Sequence, residues 1–377
     1  MNKTPKDKNK EYLDALCTSL QAKGIDPANL GAIKKSSSYQ RAYKDESGEL
    51  QVRDLWSFQY ESILVNQTPN WPTVKPGPCY TLPKQKVASV QRKQKICVIV
   101  PDVQIGYYRD MSGELVPTHD EKAINIALNV IADLQPDIIV CVGDNLDFPE
   151  FSKYRITPAF QQTTQASIDR AALLAAQLRN AGPKSHIVWL AGNHEERLPN
   201  YIIDNAMAAF ALKKGNHPES WPVMSVPSLC RFDNYKVEYI PGYPAGEFWI
   251  NDNLKVIHGT KAKTNANTAH AYLRDEKVSV IYGHIHRIET AYKTRRGPKG
   301  SGTIMAASPG CLARLDGAVP STKGSKDLDG RPVIVSEDWQ QGLAVITYQT
   351  TGEQKFSYEV MPIHNGWAMF RGTEYLA

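Results

Sequence analysis

Metal-ligating residue types follow five short apolar segments of the sequence, usually beside a glycine. These residues are Asp102, Gln104, Asp144, Asn193, His258, His284 and His286. Carboxylate, amide and imidazole donors without a thiolate suit borderline-hard divalent ions such as Mn, Fe, Zn or Ni. A shared carboxylate can bridge two cations, and two cations about 3.5–4 Å apart can bind the attacking and leaving oxygens of a phosphoryl transfer. The residue types therefore predict a two-metal site for phosphate-ester chemistry within residues 96–286.

The first three apolar segments are expected to be buried parallel strands. Lys95–Val100 and Asp137–Val142 are too short for helices and rich in β-branched residues, and His186–Leu190 resembles them. Helices are predicted between these strands, the second of them over Ala166–Ala181. Alternating strands and helices favour an α/β fold, in which ligands bind beyond the carboxyl ends of the strands. The polar residues that follow the strands should therefore lie close together.

The helix between the first two strands is predicted from its end signals. Thr118, with Glu121 three residues later, matches a capping box. Apolar residues at helical spacing follow, and Pro136 cannot continue a helix. The pattern predicts a helix that begins at Thr118 and ends just before Pro136.

The second half of the chain is expected to supply a second, mixed sheet. Its strands are predicted at Leu254–His258, Val278–Tyr282, Thr303–Ala307 and Leu343–Tyr348. Residues 342–377 resume strand-like patterning and are expected to complete this second sheet. Residues 309–340 are rich in Gly, Pro, Lys and Asp, which predicts a long loop over the site.

The N-terminal region differs in composition and is expected to be a separate appendage. Residues 11–22 have apolar residues at helical spacing, and residues 39–55 fit a hairpin around Asp45–Gly48. We expect a small α+β or partly disordered appendage over residues 1–67. Residues 68–94 contain five prolines and then a basic stretch, which is typical of a linker. The main domain is therefore predicted over residues 95–377.

The excess positive charge lies in this N-terminal region. Residues 1–94 carry 15 Lys and Arg against 9 Asp and Glu, and the rest carries 29 against 30. A basic appendage can attract nucleic acid or another polyanion, and a solvated leader explains the charge equally well. Its interleaved aromatic residues could stack single-stranded bases, although a small hydrophobic core is the simpler interpretation.

The strand-end residues also form five ordered motifs. They are the Asp102/Gln104 pair, Gly143-Asp144-x-x-Asp147, Gly192-Asn193-His194-Glu195, His258-Gly259 and Gly283-His284-x-His286. In this order they resemble the calcineurin-like metallophosphoesterase superfamily over residues 96–310. The turn Ser308-Pro309-Gly310 is similar to the Asn-Pro-Gly turn of many members. The resemblance implies a two-sheet α/β/β/α metallophosphoesterase sandwich.

The resemblance also implies a role for each motif residue. Metal one would be held by Asp102, Gln104, Asp144 and His286, and metal two by Asp144, Asn193, His258 and His284. His194 would be the general acid and Asp147 the carboxylate that orients it. The nucleophile would be a metal-bound hydroxide.

Two departures from the superfamily pattern limit what the resemblance implies. Gln104 stands where most members have His, so metal one is expected to bind less tightly than metal two, or not stably. Phe148 and Ala191 occupy positions where the protein Ser/Thr phosphatases carry phosphate-binding arginines. That absence leaves phosphodiesterases, nucleases and small-molecule phosphatases. Four cations beside the motifs could bind phosphate instead, although each alone is more simply a surface charge: Arg197, Lys261, Lys263 and Arg287.

The sequence therefore predicts a metal-dependent hydrolase of phosphate esters, with phosphodiesters and nucleic acid as the first-choice substrates and Mn as the first-choice metal. The alternatives are a phosphomonoesterase of a small metabolite and a binding protein with a weakened metal site. The polar N-terminus, the lack of a membrane-length apolar run and the dispersed cysteines favour the cytoplasm. The sequence does not indicate an oligomeric state.

Overall fold

The computed structural model describes residues 5–23, 30–62, 94–154, 156–297, 300–322 and 337–377. The helices are α1 (Pro5–Gln21), α2 (Glu121–Leu134), α3 (Thr164–Ala181), α4 (Arg197–Asn205), α5 (Val226–Leu229), α6 (Phe232–Tyr235) and α7 (Thr268–Asp275). The first strands are β1 (Leu30–Lys44), β2 (Leu50–Ser62), β3 (Lys95–Val100), β4 (Tyr107–Arg109), β5 (Leu115–Pro117), β6 (Ile138–Cys141), β7 (His186–Leu190) and β8 (Val237–Ile240). The later strands are β9 (Glu247–Asn251), β10 (Leu254–Ile257), β11 (Ser279–Tyr282), β12 (Ile288–Gly297), β13 (Gly300–Pro309), β14 (Gly342–Tyr348), β15 (Phe356–Pro362), β16 (Trp367–Phe370) and β17 (Thr373–Leu376).

The chain divides into two compact units, Met1–Pro78 and Cys79–Ala377. In the first unit the predicted helix and hairpin are both present and longer than expected, since β1 pairs antiparallel with β2 from Lys44 and Leu50 outward. The Asp45 carboxylate closes the turn by accepting the backbone N–H groups of Ser47 and Glu49. The linker predicted at 68–94 lies outside the described residues except for its last residue, so that boundary stays a prediction.

A six-stranded sheet carries the three strands predicted to be parallel. Its order is β15-β14-β3-β6-β7-β8, and β3, β6, β7 and β8 run parallel. The prediction that residues 342–377 complete the second sheet is wrong. Strand β14 pairs antiparallel with β3, β15 pairs with β14, and β16 and β17 form a separate hairpin. Local patterning identifies a strand, whereas its partner is chosen by packing between distant segments.

The second sheet is five-stranded and mixed, as predicted. Its order is β12-β13-β11-β10-β9. Strands β10, β11 and β13 run parallel, while β9 and β12 pair antiparallel at the two edges.

Alternating side chains of the strands build three hydrophobic layers. From β3, Cys97 and Ile99 point between the two sheets, where they join Val256 of β10 and Ile281 of β11. The intervening residues of the six-stranded sheet pack against α2 and α3. Helix α7 covers the outer face of the five-stranded sheet. This α/β/β/α layering is the predicted fold. Of the helices in the described ranges, none has the length and apolar character needed to cross a membrane.

The N-cap of helix α2 lies two residues later than predicted, because Thr118 is not the cap. The cap is Asp120, whose carboxylate accepts the backbone N–H groups of Lys122 and Ala123. The Thr118 hydroxyl instead donates to the backbone carbonyl of Gln104, 3.2 Å away. Thr118 therefore braces the loop that carries a candidate metal ligand. Both residues are good caps, and sequence spacing alone chose the wrong one.

An ion pair between the buried Arg170 and the exposed Glu121 joins α3 to α2. Arg170 donates to both carboxylate oxygens of Glu121 at 2.7 Å, and His119 lies 3.0 Å from the same carboxylate. Burial raises the pKa of Glu121, but the hydrogen bonds from Arg170 and His119 outweigh it and hold that pKa far below its ordinary value of 4.5. The pair therefore stabilises the folded protein while Glu121 is ionised.

We expect Arg170→Met to lower the free energy of unfolding by about 1–2 kcal/mol at neutral pH, a value reduced by the partial exposure of Glu121. Because folding lowers the pKa of Glu121, the ion pair stabilises the folded protein fully above about pH 4.5. This stabilisation is lost as the pH falls towards the folded value. Urea unfolding at about pH 7, 5 and 3.5 should show the difference from wild type shrinking only at the lowest pH. The exposed-surface control is Arg274→Met; an Arg170→Met deficit that grows on acidification would contradict the assignment.

Candidate metal centre

Every predicted ligand lies just beyond the carboxyl end of a strand. Asp102 and Gln104 follow β3, Asp144 follows β6, and Asn193 follows β7. His258 follows β10 of the other sheet, and His284 and His286 follow β11. We call these seven residues the ligand cluster. Their side chains meet where the ends of the two sheets converge.

The first half of the cluster gathers around Asp102. Ligating atoms of Asp102, Asp144 and His286 all lie within 4.8 Å of one another. His286 Nε2 is 3.3 Å from Asp102 Oδ1 and 3.3 Å from Gln104 Nε2. All four side chains are buried.

The second half shares Asp144 with the first. Ligating atoms of Asp144, His258 and His284 also lie within 4.8 Å of one another. His258 Nε2 is 3.3 Å from Asp144 Oδ2. Asn193 Oδ1 lies 3.1 Å from His258 Nε2 and 2.8 Å from His284 Nδ1. Asp144 is thus the side chain common to both halves, as expected of a bridging carboxylate.

The His258 ring is fixed in the tautomer that a metal ligand needs. Its Nδ1 is 3.0 Å from the backbone carbonyl of Val142, so Nδ1–H donates there. When the ring is neutral, the lone pair of Nε2 faces Asp144. Burial lowers the pKa of His258, but the Asp144 carboxylate raises it more, to about 9. In the absence of a cation, the second proton on the His258 ring partly neutralises the charge of the buried Asp144 carboxylate.

The donor set fits divalent cations. Among the described residues, Asp102 Oδ2 and Gln104 Oε1 are buried without a hydrogen-bond partner. Burying polar atoms in this way is costly unless a ligand satisfies them. The Gln104 amide nitrogen faces Asp144 and His286, and only its oxygen could bind a cation, so the amide would have to rotate. Weaker binding on the Gln104 side stays a prediction.

Four cluster residues have backbones in the left-handed region, where side chains other than Gly are uncommon. They are Gln104 (φ 54°), Asp144 (φ 48°), His284 (φ 71°) and His286 (φ 57°). This conformation costs about 1 kcal/mol or more per residue, and such strain concentrates at functional sites. No sequence pattern predicts this conformation, because non-glycine residues occupy all four positions.

Two glycines allow the strand ends to approach the carboxylates. A Cβ at Gly192 would overlap both Oδ1 and the backbone N of Asp144. A Cβ at Gly283 would overlap Asp102 Oδ2. Both positions were noted in the sequence as ligand-flanking glycines, and close approach is the reason they must lack a side chain.

Glu195 binds the two loops that carry Asp144 and Asn193. Its carboxylate is 1% exposed and accepts backbone N–H groups at 2.9 Å from Asp144, Asn145 and Gly192. The Trp189 indole N–H donates to it from 3.3 Å. Glu195 thus holds together the loops that shape the cluster.

His194 lies at the edge of the cluster between a carboxylate and a guanidinium. Its Nδ1 is 2.9 Å from Asp147 Oδ1, and its Nε2 is 3.6 Å from Asp144 Oδ2. Burial lowers the pKa of His194, but Asp144 and Asp147 together raise it above its ordinary value. Arg197 donates to the Asp147 carbonyl at 2.6 Å and lies 2.9 Å from His194 Nε2.

The other three predicted phosphate-binding cations lie in two loops. Lys261 and Lys263 follow His258, and Arg287 follows His286 after β11. Lys261 donates to the Ala271 carbonyl and to Asp275 on α7. Arg287 donates to the backbone carbonyl of Lys263, which ties these two residues together. Of the four predicted cations, Arg197 is the one whose side chain contacts His194.

Two aromatic residues that the sequence did not single out contact the cluster. The Trp339 ring lies 4.2 Å from that of His286, nearly perpendicular to it. The Tyr243 ring lies 5.6 Å from that of His258. Trp339 belongs to the segment predicted as a loop over the site. No local sequence pattern predicts either contact, because both residues reach the cluster from loops that are remote in sequence.

Comparison with known proteins gives one family match. Residues 106–287 match the calcineurin-like phosphoesterase family, a segment that begins just after Asp102 and Gln104. The chain is 24% identical over 272 residues to the Gene 54 protein of Mycobacterium phage L5, covering 68% of this chain and 93% of that protein. It is 25% identical over 185 residues to the Gene 54 protein of Mycobacterium phage D29, covering 47% and 68%. A solved structure, Yfce, a phosphoesterase from E. coli, aligns with a TM-score of 0.27 at 10% identity, over 70% of this chain and 98% of that one.

We expect Gly192→Ala to lower the free energy of unfolding by about 1–3 kcal/mol or more, since the new Cβ collides with Asp144 backbone that β6 holds in place. Gly215→Ala is the matched control: a Cβ there meets no described atom within 4 Å. It should change stability by no more than about 0.5 kcal/mol. Equal effects of the two substitutions in urea unfolding would refute the close approach at Gly192.

Proposed function

We propose that this chain, which belongs to the calcineurin-like phosphoesterase family, hydrolyses phosphodiesters. Family membership makes it a metal-dependent hydrolase of phosphate esters; the diester preference is the proposal. The observation that carries the proposal is the pair of donor groups sharing Asp144, each with its ligating atoms within 4.8 Å. Two such groups suit two adjacent cations, with one carboxylate between them.

We assign the cluster to two cation sites. Asp102, Gln104, Asp144 and His286 would hold metal one, and Asp144, Asn193, His258 and His284 would hold metal two. When bound, the cations would stabilise charge on the phosphoryl oxygens and lower the pKa of water. Mn is our first choice among divalent ions because the donors are mixed nitrogen and oxygen atoms.

His194 is assigned as the general acid and Asp147 as its positioning residue. The Asp147 carboxylate, 2.9 Å from His194 Nδ1, would keep a proton on Nδ1 and aim Nε2 towards the centre. Its raised pKa supports a proton-donating role at neutral pH. Because a protonated Nε2 cannot accept a hydrogen bond, Arg197 would then be released from His194 to bind a substrate oxygen.

The surroundings of the centre support diesters over phosphoproteins. Phe148 and Ala191 occupy the positions at which protein Ser/Thr phosphatases carry phosphate-binding arginines. Both side chains are buried in the core. Fewer fixed cations at the site favour a substrate with the smaller charge, as a diester has. We propose nucleic acid as the substrate class, with the basic N-terminal region as an additional contact. The buried free thiols of Cys97, Cys141 and Cys230 support a reducing compartment, and we propose the cytoplasm.

With Mn(II), the purified protein should hydrolyse bis-p-nitrophenyl phosphate faster than p-nitrophenyl phosphate. Asp144→Asn should lower kcat/KM at least about 100-fold, because it removes the charge shared by both sites. The control Asp252→Asn changes an exposed turn residue and should leave kcat/KM unchanged. A higher rate on the monoester would favour the phosphomonoesterase alternative. Failure to cleave either ester, together with no bound metal by elemental analysis, would favour the binding-protein alternative.

Titration with Mn(II) should resolve one tighter and one weaker equivalent, because the Gln104 amide must rotate to bind. Gln104→His supplies an imidazole and should tighten the weaker equivalent about tenfold or more. Calorimetry measures both equivalents, with Gln161→His, on an exposed turn, as the control. Two equally tight sites in the wild-type protein would contradict the assignment of Gln104 to a weak site.

A further inference from the structure

A cleft of about 690 Å³ opens beside the ligand cluster and includes Asn193 and Arg197 in its wall. Its aromatic lining consists of Phe151, Tyr154, Tyr201 and Tyr243. We call it the aromatic cleft. Its volume lies within the range of about 300–1,000 Å³ that is typical of small-molecule sites. The cleft is thus large enough for a nucleoside next to the candidate metal centre.

The aromatic rings of this cleft remain accessible. Tyr154 is 71% exposed and Tyr201 is 43% exposed. Tyr201 is supported from behind by Phe151, whose ring centroid lies 5.3 Å away. Phe151 in turn packs on the buried Phe148 ring at 5.3 Å. A ring anchored to the core on one side and accessible on the other provides a stacking surface at little conformational cost.

Tyr243 brings the aromatic lining to the metal centre itself. Its ring lies 5.6 Å from the His258 ring. The loop that carries it is held by Glu196, whose carboxylate accepts the backbone N–H groups of Gly242 and Tyr243. An aromatic group bound along Tyr243 would therefore lie beside an ester phosphate at the ligand cluster.

The cleft is lined by two cations, Arg197 and Lys153, and by two acids, Glu196 and Asp204. Arg197 contacts both Asp147 and His194 at the edge of the cluster. Lys153 lies 5.6 Å from the Tyr154 ring, towards the outer part of the cleft. A cation near the scissile phosphate and a second beside the outer aromatic ring suit successive phosphates with bases between them.

We propose that the aromatic cleft is a nucleoside subsite, in which a base stacks on Tyr201 or Tyr243 while its phosphate lies at the ligand cluster. This inference rests on the proposed function and adds a specificity to it: the substrate is a single-stranded or short nucleic acid. Stacking needs an unpaired base with an accessible face, which a base inside a duplex lacks. Tyr201 and Tyr243 are the specificity-determining residues.

Two substrates with the same leaving group test the subsite. Thymidine 5′-(p-nitrophenyl phosphate) and methyl p-nitrophenyl phosphate both release p-nitrophenolate, and differ only in the nucleoside. With Mn(II), the wild-type kcat/KM should be at least about tenfold higher for the thymidine ester, and Tyr201→Ala and Tyr243→Ala should each reduce that ratio several-fold. Tyr201→Phe and Tyr243→Phe retain a ring and should retain the ratio. The control Tyr292→Ala removes an exposed tyrosine of β12 outside the cleft and should not alter it.

The ratio separates this inference from the proposed function. If both esters are hydrolysed with equal kcat/KM, or if the alanine variants keep the wild-type ratio, the nucleoside subsite is wrong and the phosphodiesterase stands. If neither ester is hydrolysed, the proposed function is wrong, and calorimetric binding of thymidine 5′-monophosphate decides the subsite. Binding that weakens about tenfold in Tyr201→Ala and Tyr243→Ala, and not in Tyr292→Ala, would support it. Binding that is absent, or equal in all variants, would overturn it.

Discussion

The candidate centre depends on one buried carboxylate that hydrogen-bonds to the backbone of two ligand-bearing loops. Glu195 accepts backbone N–H groups from the loop after β6 and from the loop after β7, and so fixes the separation of Asp144 and Asn193. Burial and the nearby Asp144 charge raise the pKa of Glu195, while the N–H groups act against that rise. An ionised carboxylate is held in the core only where several donors face it. The two loops therefore donate the hydrogen bonds that keep the Glu195 carboxylate in the core. The carboxylate in turn holds the loops in position.

That arrangement concentrates negative charge and explains why cations belong there. Asp102, Asp144 and Glu195 are all buried at the same end of the sandwich. His258 offsets part of the charge, as its pKa of about 9 indicates. His284 does not, because burial and the neighbouring His258 lower its pKa. Divalent cations would complete the charge balance and would also stabilise the four left-handed residues of the cluster, since ligation selects the backbone conformation that strain opposes.

Local features of the sequence were enough to predict the strands and the polar side chains that gather at their ends. A short β-branched segment followed by glycine and a polar residue has few other structures available, so β3, β6, β7, β10 and β11 were all predicted. Pairing was harder: β14 reads as a buried strand but joins β3, about 245 residues earlier, rather than the second sheet. The cap of α2 was misassigned because Thr118 and Asp120 are both good N-cap residues, and contacts made only in the folded protein decide between them. The aromatic cleft escaped prediction because Phe151, Tyr201 and Tyr243 meet only after folding.

Gln104 would change the type of ligand atom at metal site one without changing the charge of that site. A ligating imidazole and a ligating amide are both neutral, so replacing His by Gln leaves the charge of the two carboxylates unaltered. The replacement exchanges a nitrogen donor for an oxygen donor and leaves His286 as the one imidazole assigned to that site. Oxygen-rich sites favour harder ions such as Mn or Mg, whereas two imidazoles at the other site suit Zn or Fe as well. We therefore expect the two halves of the cluster, which share Asp144, to differ in which ion they prefer as well as in how tightly they bind it.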